Sequence, residues 1–192
     1  DIDYVSDNPV DRVWTDRPAM PETKIVVHPN RLSGRTSLDK RCALGRQLAD
    51  AKQAAMLVTQ PENIAWLLNI RADDVPHTPF ALSFGILRAS GKFDWFIDPK
   101  RVDDKTRQHV GDKLHIHARD KLTASLGKLK TKIRLDPSTT PIWFAAQLGG
   151  AEIVHGEDLC TLAKACKTKA EIKGTKAAHL RDGAALCRFL CW

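Results

Sequence analysis

The 192-residue chain has no apolar run near the roughly 20 residues that a membrane-crossing helix needs. Its start, DIDYVSDNPVDRVW, has no basic stretch followed by an apolar one, so it does not have the form of a signal peptide. It also lacks an initiator Met, and the expectation is a chain trimmed or excised from something longer. There is no C-x-x-C pair. The five cysteines (Cys42, Cys160, Cys166, Cys187 and Cys191) are odd in number, which argues against a disulfide framework and for reduced thiols in a cytoplasmic setting. Cys187 and Cys191 stand four apart with no His at ligand spacing, so they read as helix packing residues. The phosphate loop, the dinucleotide fingerprint, the G-x-S-x-G elbow and HExxH are all absent, which removes the motif-borne routes to nucleotide, serine-hydrolase and zinc-protease chemistry.

What is present is an ordinary globular composition: 43% hydrophobic, 28% charged, net charge +7. The positive residues are scattered rather than blocked. The densest run, KLTASLGKLKTKIR (121–134), interleaves Lys with Leu at helical spacing, as the solvent face of an amphipathic helix does. Nucleic-acid binding is therefore the weakest of the functional readings, and no membrane partner is expected.

Strand and helix signals alternate after a proline-rich first 36 residues that read as a linker or the tail of a preceding domain. KIVVH (24–28) is a short strand. SLDKRCALGRQLADAKQA (37–54) is a helix with Ser37 as its cap. AAMLVT is a buried strand, and PENIAWLLN a short helix with Pro61 in its first turn. FALSFGILRA and KFDWFID form a hairpin across SGK. PKRVDDKTRQHV, RDKLTASLGKLK, TTPIWFAAQLG and EDLCTLAKACK read as helices between the strands KLHIHA, KIRLD and AEIVH. The pattern predicts an α/β layered domain with a mixed sheet flanked by helices. Thr168 and Glu171 form a capping box for a last helix, 169–192, with Ile172, His179, Gly183, Leu186 and Leu190 in one stripe.

Two constellations carry chemistry. HIH (115–117) puts His115 and His117 on one strand face, but no third ligand is evident nearby, so an exposed strand face is the favoured reading. Arg71, Asp73, Asp74 and His77 fall within seven residues between a helix and a strand. Arg71, Asp74 and His77 are the substrate-side candidates. The structural alternative is an Asx-type turn with Arg71 paired to one carboxylate, stiffened by Pro76 and Pro79.

AWLLNIRADDVPHTPFALSFGIL resembles a segment of the Xaa-Pro aminopeptidases that usually reads W-L-L-N-I-R-G-x-D-V with a Pro shortly after. NPVDRVWTDRP, GRTSLDKRCALGRQL and KTKAEIKGTKAAHLRDGAALCRFLCW are similar to that family's linker, second-domain start and approach to the catalytic domain, in the family's order. Ala72 stands where the family generally has Gly; if the position needs φ > 0, Ala costs about 1 kcal/mol there. The resemblance implies a creatinase N-terminal-like α/β domain in a metallopeptidase of the M24 type. It implies a division into a tail (1–36), the α/β domain (37–167) and a helix leading into a pita-bread catalytic domain (168–192). It also implies a cytoplasmic homodimer acting on peptides with proline at the second position, with two divalent metal ions, commonly manganese, held by two Asp, one His and two Glu. None of those ligands maps onto this sequence, and His179 and Asp182 are not assigned to them. The expectation is no catalytic residue, no metal ligand and no cofactor within the chain: a non-catalytic domain that supports the substrate cleft and the dimer. The alternative is a stand-alone binding or regulatory module of the same fold without peptidase activity.

Overall fold

The computed structural model describes residues 7–192; the first six residues of the expected tail lie outside them. The elements run α1 (Pro9–Val13), β1 (Val26–Val27), α2 (Asn30–Ser33), α3 (Ser37–Asp50), β2 (Ala55–Val58), α4 (Pro61–Leu68), β3 (Ile70–Arg71), β4 (Phe84–Arg88), β5 (Phe93–Phe96), α5 (Asp104–Val110), β6 (Leu114–His117), α6 (Leu122–Gly127), β7 (Lys132–Leu135), α7 (Ile142–Gln147), β8 (Glu152–His155), α8 (Leu159–Ala165) and α9 (Lys169–Cys191). The strand–helix alternation is therefore as expected. Two expected helices start late. PKRVDDKTRQHV breaks into a 3-10 turn (Pro99–Arg101) and α5, because the Asp103 carboxylate accepts from Thr106 N–H and starts a new helix there. RDKLTASLGKLK likewise opens as a 3-10 turn before α6.

Six strands form one mixed sheet in the order β6-β5-β4-β2-β7-β8, and β1 and β3 pair separately. The β4–β5 hairpin is antiparallel, as is β2–β4, whereas β5–β6, β2–β7 and β7–β8 are parallel. Gly91 closes the hairpin at φ 78°, with its N–H on the Arg88 carbonyl, a left-handed position that glycine takes at no steric cost.

Period-2 alternation splits the buried residues into two cores. On one face Met56, Val58, Leu87, Phe93, Trp95 and Ile97 pack against Leu44 and Leu48 of α3, Ile64 and Leu67 of α4, Val110 of α5 and Cys160 of α8. On the other, Ala55, Leu57, Ile86, Phe96 and Ile133 pack against Leu122 and Leu126 of α6 and Phe144 of α7. The protein is thus an α/β/α layered domain, with the second face covered by two short helices.

The cap of α3 is Thr36 rather than Ser37: the Thr36 hydroxyl accepts from Asp39 N–H at 3.1 Å. Ser37 is drawn elsewhere, accepting from Arg41 Nε at 3.2 Å. Arg41 is fully buried. Its remaining donors go to four main-chain carbonyls: Gly91 (3.3 Å), Lys113 (2.9 Å), Val110 (2.9 Å) and Asp112 (2.8 Å). All five N–H groups of the guanidinium are used with no carboxylate in the set. Burial pulls its pKa down to about 10, so it stays charged at neutral pH.

At the far end, the capping box of α9 is formed on both sides, and Thr168 Oγ1 donates to the Ser33 carbonyl at 3.0 Å beside Gly34. Beyond that anchor no α9 side chain is buried; Leu180, Leu186, Phe189 and Leu190 are exposed, as are Cys187 and Cys191, the two expected packing residues.

Arg41→Lys retains the charge but not the five-pronged geometry, stripping the guanidinium donors from the buried Gly91 and Val110 carbonyls. Urea unfolding of the chain should show a loss of about 3 kcal/mol; a loss under about 1 kcal/mol would contradict the assignment.

Candidate functional site

The segment after α4 is built on Asn69. It ends the helix in the left-handed conformation at φ 53° and is buried. Its side chain accepts from Lys40 Nζ at 2.7 Å and donates to Asn30 Oδ1 at 3.0 Å and the Arg35 carbonyl at 2.8 Å. Asn is one of the few residues that tolerates this backbone while offering both a donor and an acceptor. Lys40 Nζ also donates to the Trp66 carbonyl at 2.8 Å and stands 4.4 Å over the Trp66 ring. Burial brings the Lys40 pKa from 10.5 down to about 8.

The three sequence candidates are not brought together. Arg71 is half-buried, and its Nη1 donates to the Ile70 carbonyl at 2.7 Å and the Ala65 carbonyl at 3.3 Å. It pairs with neither Asp73 nor Asp74, because β3 carries its side chain back toward α4. The partner of Asp74 is Arg101, from the turn after β5: Nη2 lies 2.6 Å from Oδ1 and 2.9 Å from Oδ2. Asp74 Oδ1 also accepts from Thr23 Oγ1, and Oδ2 accepts from Leu82 N–H at 2.8 Å. The expected Asx turn is therefore a staple across eight residues, because Pro76 and Pro79 hold the chain out in a longer loop. Burial alone would raise the Asp74 carboxyl; the bonds from Thr23, Arg101 and Leu82 outweigh it and hold it below its ordinary 3.8.

His77 is exposed at φ 62°, and Thr78 N–H donates to the Val75 carbonyl at 3.1 Å. With Pro76 before it, that is a type II β-turn with a non-glycine residue in the left-handed position. Ala72 is buried and does not have positive φ, so the departure from the family's glycine carries no left-handed strain.

Arg71 does face a cavity of about 890 Å³ between the 62–80 segment and the start of α9. Trp66 and Phe80 form apolar wall, Glu62 and Glu171 bring carboxylates, and Lys164 and Arg181 bring cations. Apolar wall with both signs of charge suits a short peptide, whose termini carry both charges. Asp74 and His77 do not line it, though Thr78 and Pro79 of the same turn do.

The second constellation was only partly legible in the sequence. His115 and His117 do share a strand face, but they are not alone there: Asp94 Oδ1 lies 3.3 Å from His115 Nδ1 and 3.3 Å from His117 Nε2. Asp94 sits on the neighbouring parallel strand, directly opposite His115. Its partner lies 21 residues away across α5, so a search for a nearby third ligand could not find it. The signal available was KFDWFID itself: a lone Asp inside an otherwise apolar strand.

The architecture and this arrangement of strands define an α/β domain of a known class, and the comparison is direct. The family model for the Creatinase/Prolidase N-terminal domain matches residues 16–171, and the chain belongs to that family. Among curated proteins, a probable Xaa-Pro aminopeptidase P of Leptosphaeria maculans is 31% identical over 200 residues, and one of Coccidioides posadasii (strain RMSCC 757 / Silveira) is 33% identical over 200 residues; each match takes in 98% of this chain and 33% of the relative. The X-prolyl aminopeptidase of Caenorhabditis elegans, described as a cytosolic enzyme with a di-nuclear active site, superposes with a TM-score of 0.86 at 30% identity, covering 98% of this chain and 32% of that one. The chain thus spans about a third of the length of the relatives it matches.

Asp74's contribution to stability is complete above its ordinary 3.8 and is lost as pH falls through the lower folded-state value. Asp74→Ala strands the Arg101 charge and should cost about 3 kcal/mol at pH 7. The gap to the parent chain should narrow as pH falls below the ordinary 3.8. Urea titrations on both sides of that value test this, and a gap that does not change with pH would count against it.

Proposed function

We propose that this chain is the non-catalytic, substrate-side domain of a metal-dependent Xaa-Pro aminopeptidase, a hydrolase that removes an N-terminal residue preceding proline. The observation that supports it most strongly is the end-to-end match to X-prolyl aminopeptidases at 30% identity and above, over 98% of this chain. On this reading residues 1–36 are a tail joining the preceding domain, 37–167 the creatinase-like domain, and 168–192 the helix leading into the catalytic domain. The exposed apolar side chains of α9 then pack against that domain.

The two metal ions, with manganese as the proposed identity, would be held by the catalytic domain and would supply an activated water there; no residue of this chain is assigned to hold them. What this chain contributes is binding and shape. Arg71 supplies a cation in the cavity facing α9, placed to meet a peptide carboxylate, while the fixed 74–80 loop holds the wall around it. Asp74 and His77 act through that loop rather than on substrate directly. A homodimer in the cytoplasm is part of the same proposal, consistent with the C. elegans relative being described as cytosolic.

Incubating the chain with an Xaa-Pro peptide and added Mn²⁺ should give no metal-dependent release of the first residue; turnover would overturn the non-catalytic role. In an enzyme carrying this domain with its catalytic partner, Arg71→Ala should raise KM several-fold with little change in kcat. Steady-state kinetics that show kcat falling with KM unchanged would remove Arg71 from the substrate side.

A further inference from the structure

We propose that Asp94, His115 and His117 form a binding site for a borderline divalent cation of the zinc, cobalt or nickel class, on the sheet face that α6 and α7 leave uncovered. The geometry comes from the strand register. On β5, Phe93 and Trp95 point into one core, so Asp94 and Phe96 point to the other face. On β6, Leu114 and Ile116 pack toward the first core, so His115 and His117 join Asp94. Asp94 is directly opposite His115, and His117 is opposite Phe96. The two imidazoles therefore reach the same oxygen in different ways. His115, the direct neighbour, presents the near nitrogen Nδ1. His117, one step along, lies stacked on the Phe96 ring at 5.2 Å and extends its far nitrogen Nε2 back.

Both nitrogens stand 3.3 Å from Asp94 Oδ1, and the three donor atoms lie within 4.8 Å of one another. Bonds of about 2.0–2.1 Å in a tetrahedral centre put ligand atoms about 3.3–3.4 Å apart. Two of the three edges already have that length, and the third, between the two imidazole nitrogens, is no longer than 4.8 Å. The other carboxylate oxygen is committed: Oδ2 accepts from Arg88 Nε at 3.0 Å and Nη2 at 2.8 Å. Arg88 thus orients the carboxylate so that a single oxygen faces the imidazoles, as an outer hydrogen-bond partner does for a ligating group. Its positive charge also repels a dication, which sets the affinity below that of a site without it. Asp94 is mostly buried and His115 is half open to solvent, leaving a fourth position for water. Two imidazoles and one carboxylate oxygen favour zinc, cobalt or nickel over magnesium or calcium.

The exposed thiols Cys166, Cys187 and Cys191 would also take zinc, so the test uses the chain carrying Cys166→Ser, Cys187→Ser and Cys191→Ser. Calorimetric titration with ZnCl₂ should show one equivalent bound, and Co²⁺ should give the visible absorption of a four-coordinate centre. Adding His115→Ala with His117→Ala should weaken Zn²⁺ binding by more than about tenfold, the lower end of what even an outer partner is worth. Asp94→Asn should do the same, with circular dichroism unchanged in both. Absence of saturable binding at millimolar Zn²⁺ would overturn the proposal, as would binding of equal strength in the His115→Ala/His117→Ala variant.

Discussion

The buried Arg41 guanidinium is the contact on which the sheet's far half depends. It is contributed by α3 and takes hold of three pieces that no strand ladder joins to that helix: the β4–β5 turn at Gly91, the end of α5 at Val110, and the loop at Asp112 and Lys113 that feeds β6. Burying a guanidinium without a carboxylate is costly, and the cost shows in its lowered pKa. Five good acceptors offset it only if every one is in place. That all-or-none requirement fixes where the crossover returns, hence where β6 lies against β5, hence that His115 stands opposite Asp94.

A second set of buried polar groups does for the 62–82 segment what Arg41 does for the sheet. Lys40 and Asn69 lock the end of α4 to α2, and Arg101 with Thr23 locks Asp74 into the loop that follows. Polar groups held this way contribute little net stability as intact sets, but removing one partner leaves a buried group uncompensated. Here they leave a rigid wall on one side of the cavity under α9. Arg71 is freed to face that cavity because its main-chain acceptors, at Ile70 and Ala65, sit on its own element. The polar cluster thus divides its labour: one cation faces the cavity, one carboxylate holds the loop, and one imidazole occupies a turn.

Much of the fold was legible because it is written locally. Pro61 at a first turn, the glycine in SGK and the Thr168–Glu171 box each act within four residues, and each element begins or turns where they stand. The shared strand face of His115 and His117 was legible for the same reason. What was not legible depends on partners far along the chain. Ser37 looks like a cap until Arg41 claims its hydroxyl, and Thr36 takes the role. Arg71 looks like the partner of Asp74 until Arg101, 27 residues on, outcompetes it. Asp94 meets His115 and His117 only after a parallel crossover. A lone Asp in an apolar strand says that something polar must meet it, but not what.

The match to X-prolyl aminopeptidases runs the length of this chain and about a third of theirs, and the proposed function puts the peptidase chemistry in the other two thirds. The most direct measurement is to sequence the encoding reading frame beyond the Trp192 codon. A continuing frame that carries two Asp, one His and two Glu, in the order of a di-nuclear peptidase centre, is the result predicted for a substrate-side domain. A stop codon directly after Trp192 would contradict it and leave a free-standing module of the same fold.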